Sequence, residues 1–292
     1  MAVFRVMALL ATPAHAQSLD FSKGGPVEVT AAEGMAWRQN VRMVIARGTA
    51  RAVRGDVTVT ADRLIARYRS KPGATPAAAQ AAATADTGSN EIYRLEAEGN
   101  VRIFTASDVA QADRAVYDID QAVLLLTGGD LKLTTPQQVL TARDSMEYWS
   151  QKNMAVGRGS ATVTTADGRR LSGDTLVGYT TPAGATPAPA RPPRDASLAS
   201  GKLQRVEGFG NVEVRTAAET IRGQRGVYVP DTGIARLAGG VRITRGQNQL
   251  NGDEAVVNMR TGISTLNRTG AGRVQGLVVP NDAAPPATPP RR

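Results

Sequence analysis

The chain of 292 residues contains no cysteine, and its one histidine is His15. Without cysteine there is no disulfide framework, no thiol nucleophile and no thiolate metal ligand. Loss of the N-terminal segment would also remove the imidazole, and with it Ser-His-Asp catalysis and histidine-bound zinc. No run of 18 or more apolar residues is present, so no conventional transmembrane helix is encoded. Acid is in deficit: 35 Lys and Arg face 26 Asp and Glu, for a net charge of +9. Lysine is scarce as well, with five Lys against thirty Arg. The arginine fork suits phosphate and carboxylate, so the excess points to an anionic partner or to simple codon bias. The basic residues are spread along the chain and never form the run that marks a nucleic-acid tail, so no nucleic acid is expected. Val, Ile and Leu are distributed through most of the sequence, enough for a core in one large domain or two small ones.

The N-terminus has the three parts of a secretory signal. Arg5 is a minimal positive region, Val6 to Ala11 an apolar stretch, and Ala14-His15-Ala16 a small-x-small cleavage site. A signal over residues 1–16 is expected, with Gln17 as the first mature residue and export across the inner membrane.

An internal repeat is the strongest feature. Gly55-Asp56-Val57-Thr58-Val59, Gly99-Asn100-Val101-Arg102-Ile103, Gly129-Asp130-Leu131-Lys132-Leu133, Gly210-Asn211-Val212-Glu213-Val214 and Gly239-Gly240-Val241-Arg242-Ile243 share one pattern. Gly159 to Val163 is a weaker copy, and Pro26-Val27-Glu28-Val29 begins the series. A second motif, Asp usually preceded by a small residue, follows each copy at Asp62, Asp113, Asp144 (after Arg143), Asp174 and Asp253, with Gln224 replacing the Asp once. Two Ala/Pro-rich insertions, 71–90 and 181–200, account for the long gaps between copies and are expected to loop out. The Pro-rich tail 280–292 is expected to be disordered.

Apolar-polar-apolar alternation bounded by Gly, Asn and Asp predicts half-buried strands, two or three to each repeat of about 30 residues. One face is apolar throughout. Val57, Val59, Val101, Ile103, Leu131, Leu133, Val212, Val214, Val241 and Ile243 lie on it, while Arg102, Lys132, Glu213 and Arg242 lie on the other. A single repeat cannot bury that face, so stacked repeats bury it together in an elongated antiparallel sheet folded over on itself. The Gly-Asn steps read as tight turns with φ > 0, and the repeated Asp as a cap on its own backbone. Short alternating segments at Val27 to Val29, and at Ile263 to Leu266 or Val274 to Leu277, read as the terminal edges.

The Gly-Asn-Val-x-Ile strand followed by Ala-Asp-x-Ala-x-Tyr resembles the OstA-like repeat of the LptA/OstA-like family of lipopolysaccharide-transport proteins. Leu95 to Val101 with Asp113 to Tyr117 carry the likeness best, and Val206 to Tyr228 next. The likeness covers about 25–268 apart from the insertions. It implies an all-β domain over 17–279 of the β-taco or β-jelly-roll type, non-enzymatic and without cofactor or metal. Its apolar groove, formed here by the ten residues named above, would shield lipid A acyl chains in the periplasm. It also implies LptC-like and LptD-like partners at the inner and outer membranes and head-to-tail self-association through Val27, Val29, Ile263 and Leu266. An LptC-like role at the inner membrane is the alternative within the family. A glycan-acting enzyme on a β-solenoid and a passive envelope scaffold are alternatives of another class. The aliphatic residues themselves fit a groove or a closed core equally.

N-terminal sequencing of the protein from its native envelope is expected to start at Gln17. Retention of Phe4 to Ala16 would favour the anchored, LptC-like role.

Overall fold

The short alternating segments prove to be pieces of long strands. The computed structural model describes residues 27–70, 90–181, 203–268 and 273–277. The signal at 1–16, nearly all of both insertions and the tail at 280–292 lie outside the described residues. In chain order the strands are β1 (Glu28–Thr30), β2 (Gly34–Arg38), β3 (Met43–Arg54), β4 (Val57–Ser70), β5 (Asn90–Phe104), β6 (Val109–Asp118), β7 (Val123–Thr127), β8 (Leu131–Thr134) and β9 (Gln138–Ala142). They continue as β10 (Ser145–Trp149), β11 (Met154–Thr165), β12 (Arg170–Thr180), β13 (Leu203–Arg215), β14 (Thr220–Val229), β15 (Ile234–Arg245), β16 (Asn248–Asn258), β17 (Ile263–Asn267) and β18 (Gln275–Leu277). Two single 3-10 turns, Gln39–Val41 and Ser150–Lys152, are the only helical pieces among the described residues. The fold is all-β, a folded-over antiparallel sheet.

The described residues divide into two compact units. The first holds β1 to β8 and β10; the second holds β9, most of β11 and β12, and β13 to β18. In the first, β3, β4, β5 and β6 pair in succession, β1 and β2 share β3, and β7 and β8 share β6. In the second, β13 to β16 pair in succession, and β17 and β18 share β16.

The repeated glycine does not make the expected turns. Gly99-Asn100, Gly210-Asn211 and Gly239-Gly240 lie inside β5, β13 and β15. Each pair has positive φ, for example 75° and 50° at Gly99 and Asn100. The pairing shifts register across each: between Glu98 and Val101, between Phe209 and Val212, and between Ala238 and Val241. These pairs are therefore bulges, which bend a strand while the ladder continues on both sides. A bulge and a hairpin turn both demand φ > 0, so the residues alone do not separate them. Gly55 is the exception, a true turn glycine between β3 and β4. The bulge of β3 is Gly48-Thr49, outside the repeated Gly motif. Gly48 precedes Asp62 by fourteen residues, as Gly99 precedes Asp113 and Gly239 precedes Asp253. That spacing was the available signal.

The repeated Asp does not cap its own turn either. Asp62 accepts a hydrogen bond from Asn100 Nδ2 at 2.9 Å, Asp174 from Asn211 Nδ2 at 2.9 Å, and Asp113 from the Gly129 N–H at 2.7 Å. Each acid reaches the bulge or break of the next strand. A Cβ on Gly99, Gly128 or Gly210 would overlap the facing carboxylate, of Asp62, Asp113 and Asp174 respectively. Within each unit the bulges divide the long strands into two arms. Arm 1 contains the Val57, Val101, Val212 and Val241 segments; arm 2 contains the segments around Ala46, Ala97, Leu237 and Ala255.

In the second unit both arms contribute to one core. Val212, Val214, Ile221, Val241 and Ile243 from arm 1 cluster with Ala235, Leu237, Ala255 and Val257 from arm 2, all at 4% exposure or less. Each fully buried aliphatic side chain of this kind contributes about 1.5–3 kcal/mol. Val212 sits closest to the opposite arm: a Cβ on Gly226 would lie 2.9 Å from its Cγ1 and one on Gly208 3.0 Å from its Cγ2.

The bulge contact is separable from backbone strain. Gly240 has φ +62° with nothing within 4 Å of an added Cβ, whereas Gly99 has φ +75° and faces Asp62. G240A is expected to cost ~1 kcal/mol, the left-handed penalty alone. G99A is expected to cost ~2–3 kcal/mol, and D62A in the same chain to recover the excess. Urea unfolding midpoints measure this, and equal losses for G240A and G99A would remove the carboxylate contact from the account.

Candidate functional site

The interior face of arm 1 is built by cross-strand pairing. In the first unit one row runs Val29, Ala52, Val59, Ile103, Ala110, Leu133 across β1, β3, β4, β5, β6 and β8. Val57, Val101, Ile103 and Leu131 are buried, and Val59 and Leu133 are half-buried. In the second unit Val214, Ile221, Ile243 and Leu250 form the corresponding row, and Val212 and Val241 pair with Gly223 and Gly252. All ten residues named from the alternation thus point to the apolar face. In the second unit they meet the opposite arm directly, side chain on side chain. Arg102, Lys132 and Arg242 are exposed and Glu213 half-exposed.

One opening leads toward this interior in the second unit. About 460 Å³ of empty space, open solvent included, is bounded by Leu171, Leu203, Val206, Val214, Tyr228 and Met259, with Gln138, Arg169 and Arg170 among its lining. Arg169 pairs with Asp167 at 2.6 Å. That guanidinium, together with the Thr165 hydroxyl, holds the Asp167 carboxyl down to about 2. Of these lining residues Val206, Val214 and Tyr228 belong to the repeat, and only Val214 is among the ten predicted for the apolar face. Arg169, Arg170 and Leu171 follow the Asp167-Gly168 turn outside any repeated motif.

The edge residues also have defined places. Val27 is 41% exposed and Val29 half-buried against Ala52. Ile263 is 65% exposed opposite Asn258, and Leu266 is half-buried opposite Ala255. Both C-terminal alternatives are strands, β17 on arm 2 and β18 on arm 1. β2 was not anticipated: it pairs with arm 2 of β3, with Met35 and Trp37 exposed. The Trp37 indole donates to the Tyr68 hydroxyl at 2.7 Å.

Residues 28–154 match the family model described as LptA/(LptD N-terminal domain) LPS transport protein. LptH of Pseudomonas aeruginosa, the LptA homologous periplasmic component of its lipopolysaccharide transport device, matches with a TM-score of 0.38 at 17% identity, covering 49% of this chain and 95% of that one. No curated protein matches.

Within the matched segment, the outward face of arm 2 is an ion-pair network. Glu96 is buried there among Arg67 at 2.6 Å, Arg94 at 3.0 Å and Arg114 at 3.1 Å. Arg63 pairs with Glu98, and Arg69 with Glu91 and Asp120, each at 2.8 Å for the latter two. Burial alone would push the Glu96 carboxyl up. The Arg67 hydrogen bond and charge, joined by Arg114 and Arg94, outweigh it and hold the group below its usual 4.5. A depressed folded-state value stabilises the fold above the unfolded value and ceases to do so as pH falls through the folded one. The urea midpoint is therefore expected to drop as pH is lowered from 4.5, and E96Q to flatten that drop. An identical acid profile for E96Q would refute this role of Glu96.

Proposed function

From the match of residues 28–154 to the LptA/(LptD N-terminal domain) LPS transport protein family model, we propose a non-enzymatic periplasmic lipopolysaccharide carrier, a bridge that shields lipid A acyl chains between the arms of its folded sheet. The match to an LPS transport domain carries the reading. The apolar rows supply a physical means. Hydrogen bonds run between strands within each arm, so the arms can part along the bulge line without breaking a ladder. Parting exposes the aliphatic residues of the core, and each acyl CH₂ that replaces a lost contact returns ~0.8 kcal/mol. Asp62, Asp113 and Asp174 are each engaged at a bulge or break, which supports a structural use of the repeated acids over catalysis. The proposed functional domain is 17–279, with export by the signal at 1–16.

The terminal strands support a place in a chain of like folds. β1 and β2 at one end, and β17 and β18 at the other, are short strands rich in exposed side chains. Backbone pairing there with an LptC-like or LptD-like protein, or with a second copy, would continue one interior into the next by β-augmentation.

A photo-crosslinking residue tests both parts. At Ile103 or Val214 it is expected to capture lipopolysaccharide, and at Arg102 or Glu213 little. At Ile263 it is expected to capture a second copy or another protein of this fold. Equal lipid capture from both faces would defeat the assignment.

A further inference from the structure

The outward face of arm 1 in the first unit carries cations that the fold does not use. One cross-strand row there runs Arg51, Thr60, Arg102, Gln111, Lys132 across β3, β4, β5, β6 and β8. Arg51, Arg102 and Lys132 are exposed. No hydrogen bond or ion pair holds them among the described residues. Neighbouring strands lie ~4.8 Å apart, so the three charges recur at roughly 10 Å with a polar side chain between each pair.

Two comparisons within the molecule show that outward arginines of this sheet can be paired. On arm 2 of the same unit Arg63, Arg67, Arg69, Arg94 and Arg114 all have carboxylate partners. In the second unit the corresponding row begins at Glu213, which neutralises Arg222 at 2.8 Å and Arg215 at 3.0 Å and leaves one exposed cation, Arg242, in place of three at even spacing. The sheet therefore forms equally well with its outward arginines paired. We propose that the Arg51–Arg102–Lys132 row is a binding rail for a linear acidic polysaccharide, separate from the lipid-facing interior.

Spacing and surroundings select the ligand class. A polysaccharide with one carboxylate per disaccharide repeats its charge on the scale of the rail. Its hydroxyls can bond to Thr60 and Gln111 between the charged contacts. Nucleic acid places a phosphate every ~3.4 Å of axis on each strand, so most of its charges would go unmet. An anionic bilayer is a plane, and it would also meet the exposed Asp62 and Asp113 along the bulge line beside the rail. A chain lying along the row clears them.

Hyaluronan oligosaccharide, with one carboxylate per disaccharide, is the probe, and neutral dextran the blank. Binding to the full chain is measured at low salt for the wild type, for R51Q/R102Q/K132Q, and for R225Q/R236Q/R242Q. The last variant removes the same charge from exposed arginines of the second unit. All six side chains are exposed, so thermal midpoints should match the wild type. The expected result is a Kd raised about tenfold or more by the first variant and unchanged in the second. Absent wild-type binding, or equal weakening in both variants, would overturn the proposal. So would single-stranded DNA or phosphatidylglycerol vesicles binding more tightly than hyaluronan through the same three residues. Lipid capture at Ile103 is untouched by any of these outcomes.

Discussion

The contact between an acid on one strand and a glycine bulge on the next organises everything else. Asp62 on Gly99-Asn100 and Asp174 on Gly210-Asn211 are two instances of one geometry. The bulge needs two consecutive residues of positive φ, which costs about 1 kcal/mol or more for a non-glycine residue. The carboxylate offsets part of that cost by accepting from the Asn side chain, and it fills the space that only a glycine leaves.

From the bulge line follows the core. A strand that continued straight would leave its apolar face to water over its full length. In the second unit the bend turns the long strands into two facing arms, and Val212 then meets Leu237 and Ala255 in one cluster. The interior glycines set the closeness of that approach, because a Cβ on Gly208 or Gly226 would press on Val212. The same bend gives each outward face its own character. Arm 2 gathers paired charges around the buried Glu96, whereas arm 1 in the first unit exposes Arg51, Arg102 and Lys132.

The face assignment was legible because strand periodicity is strict: Val101 and Ile103 are buried and Arg102 exposed, as alternation requires. The repeat was legible for the same reason. The arms were not. Gly-Asn is equally the signature of a hairpin turn, so local chemistry could not distinguish an end from a bend at Gly99. The long-range bond from Asp62 to Asn100 spans 38 residues and leaves no trace in either motif read separately. Leu171, Leu203 and Met259 stayed hidden because they line an opening without belonging to the repeat. β2 was passed over because its exposed Met35 and Trp37 lie outside the glycine spacing.

The bend also restricts which strands can extend the sheet. At each end the terminal edge is split, β1 with β2 on β3 and β17 with β18 on β16, one short strand to each arm. A flat strand approaching such an edge can pair with one arm only, because the second arm turns away at the bulge. Pairing with both arms requires a strand, or two short strands, that bend at the same level. Exposed edges ordinarily invite indiscriminate aggregation. Here the geometry that buries the core also restricts the edge, since a partner that pairs with both arms must bend at the same level. An apolar interior continued through such a junction would then meet another interior of the same kind, arm to arm.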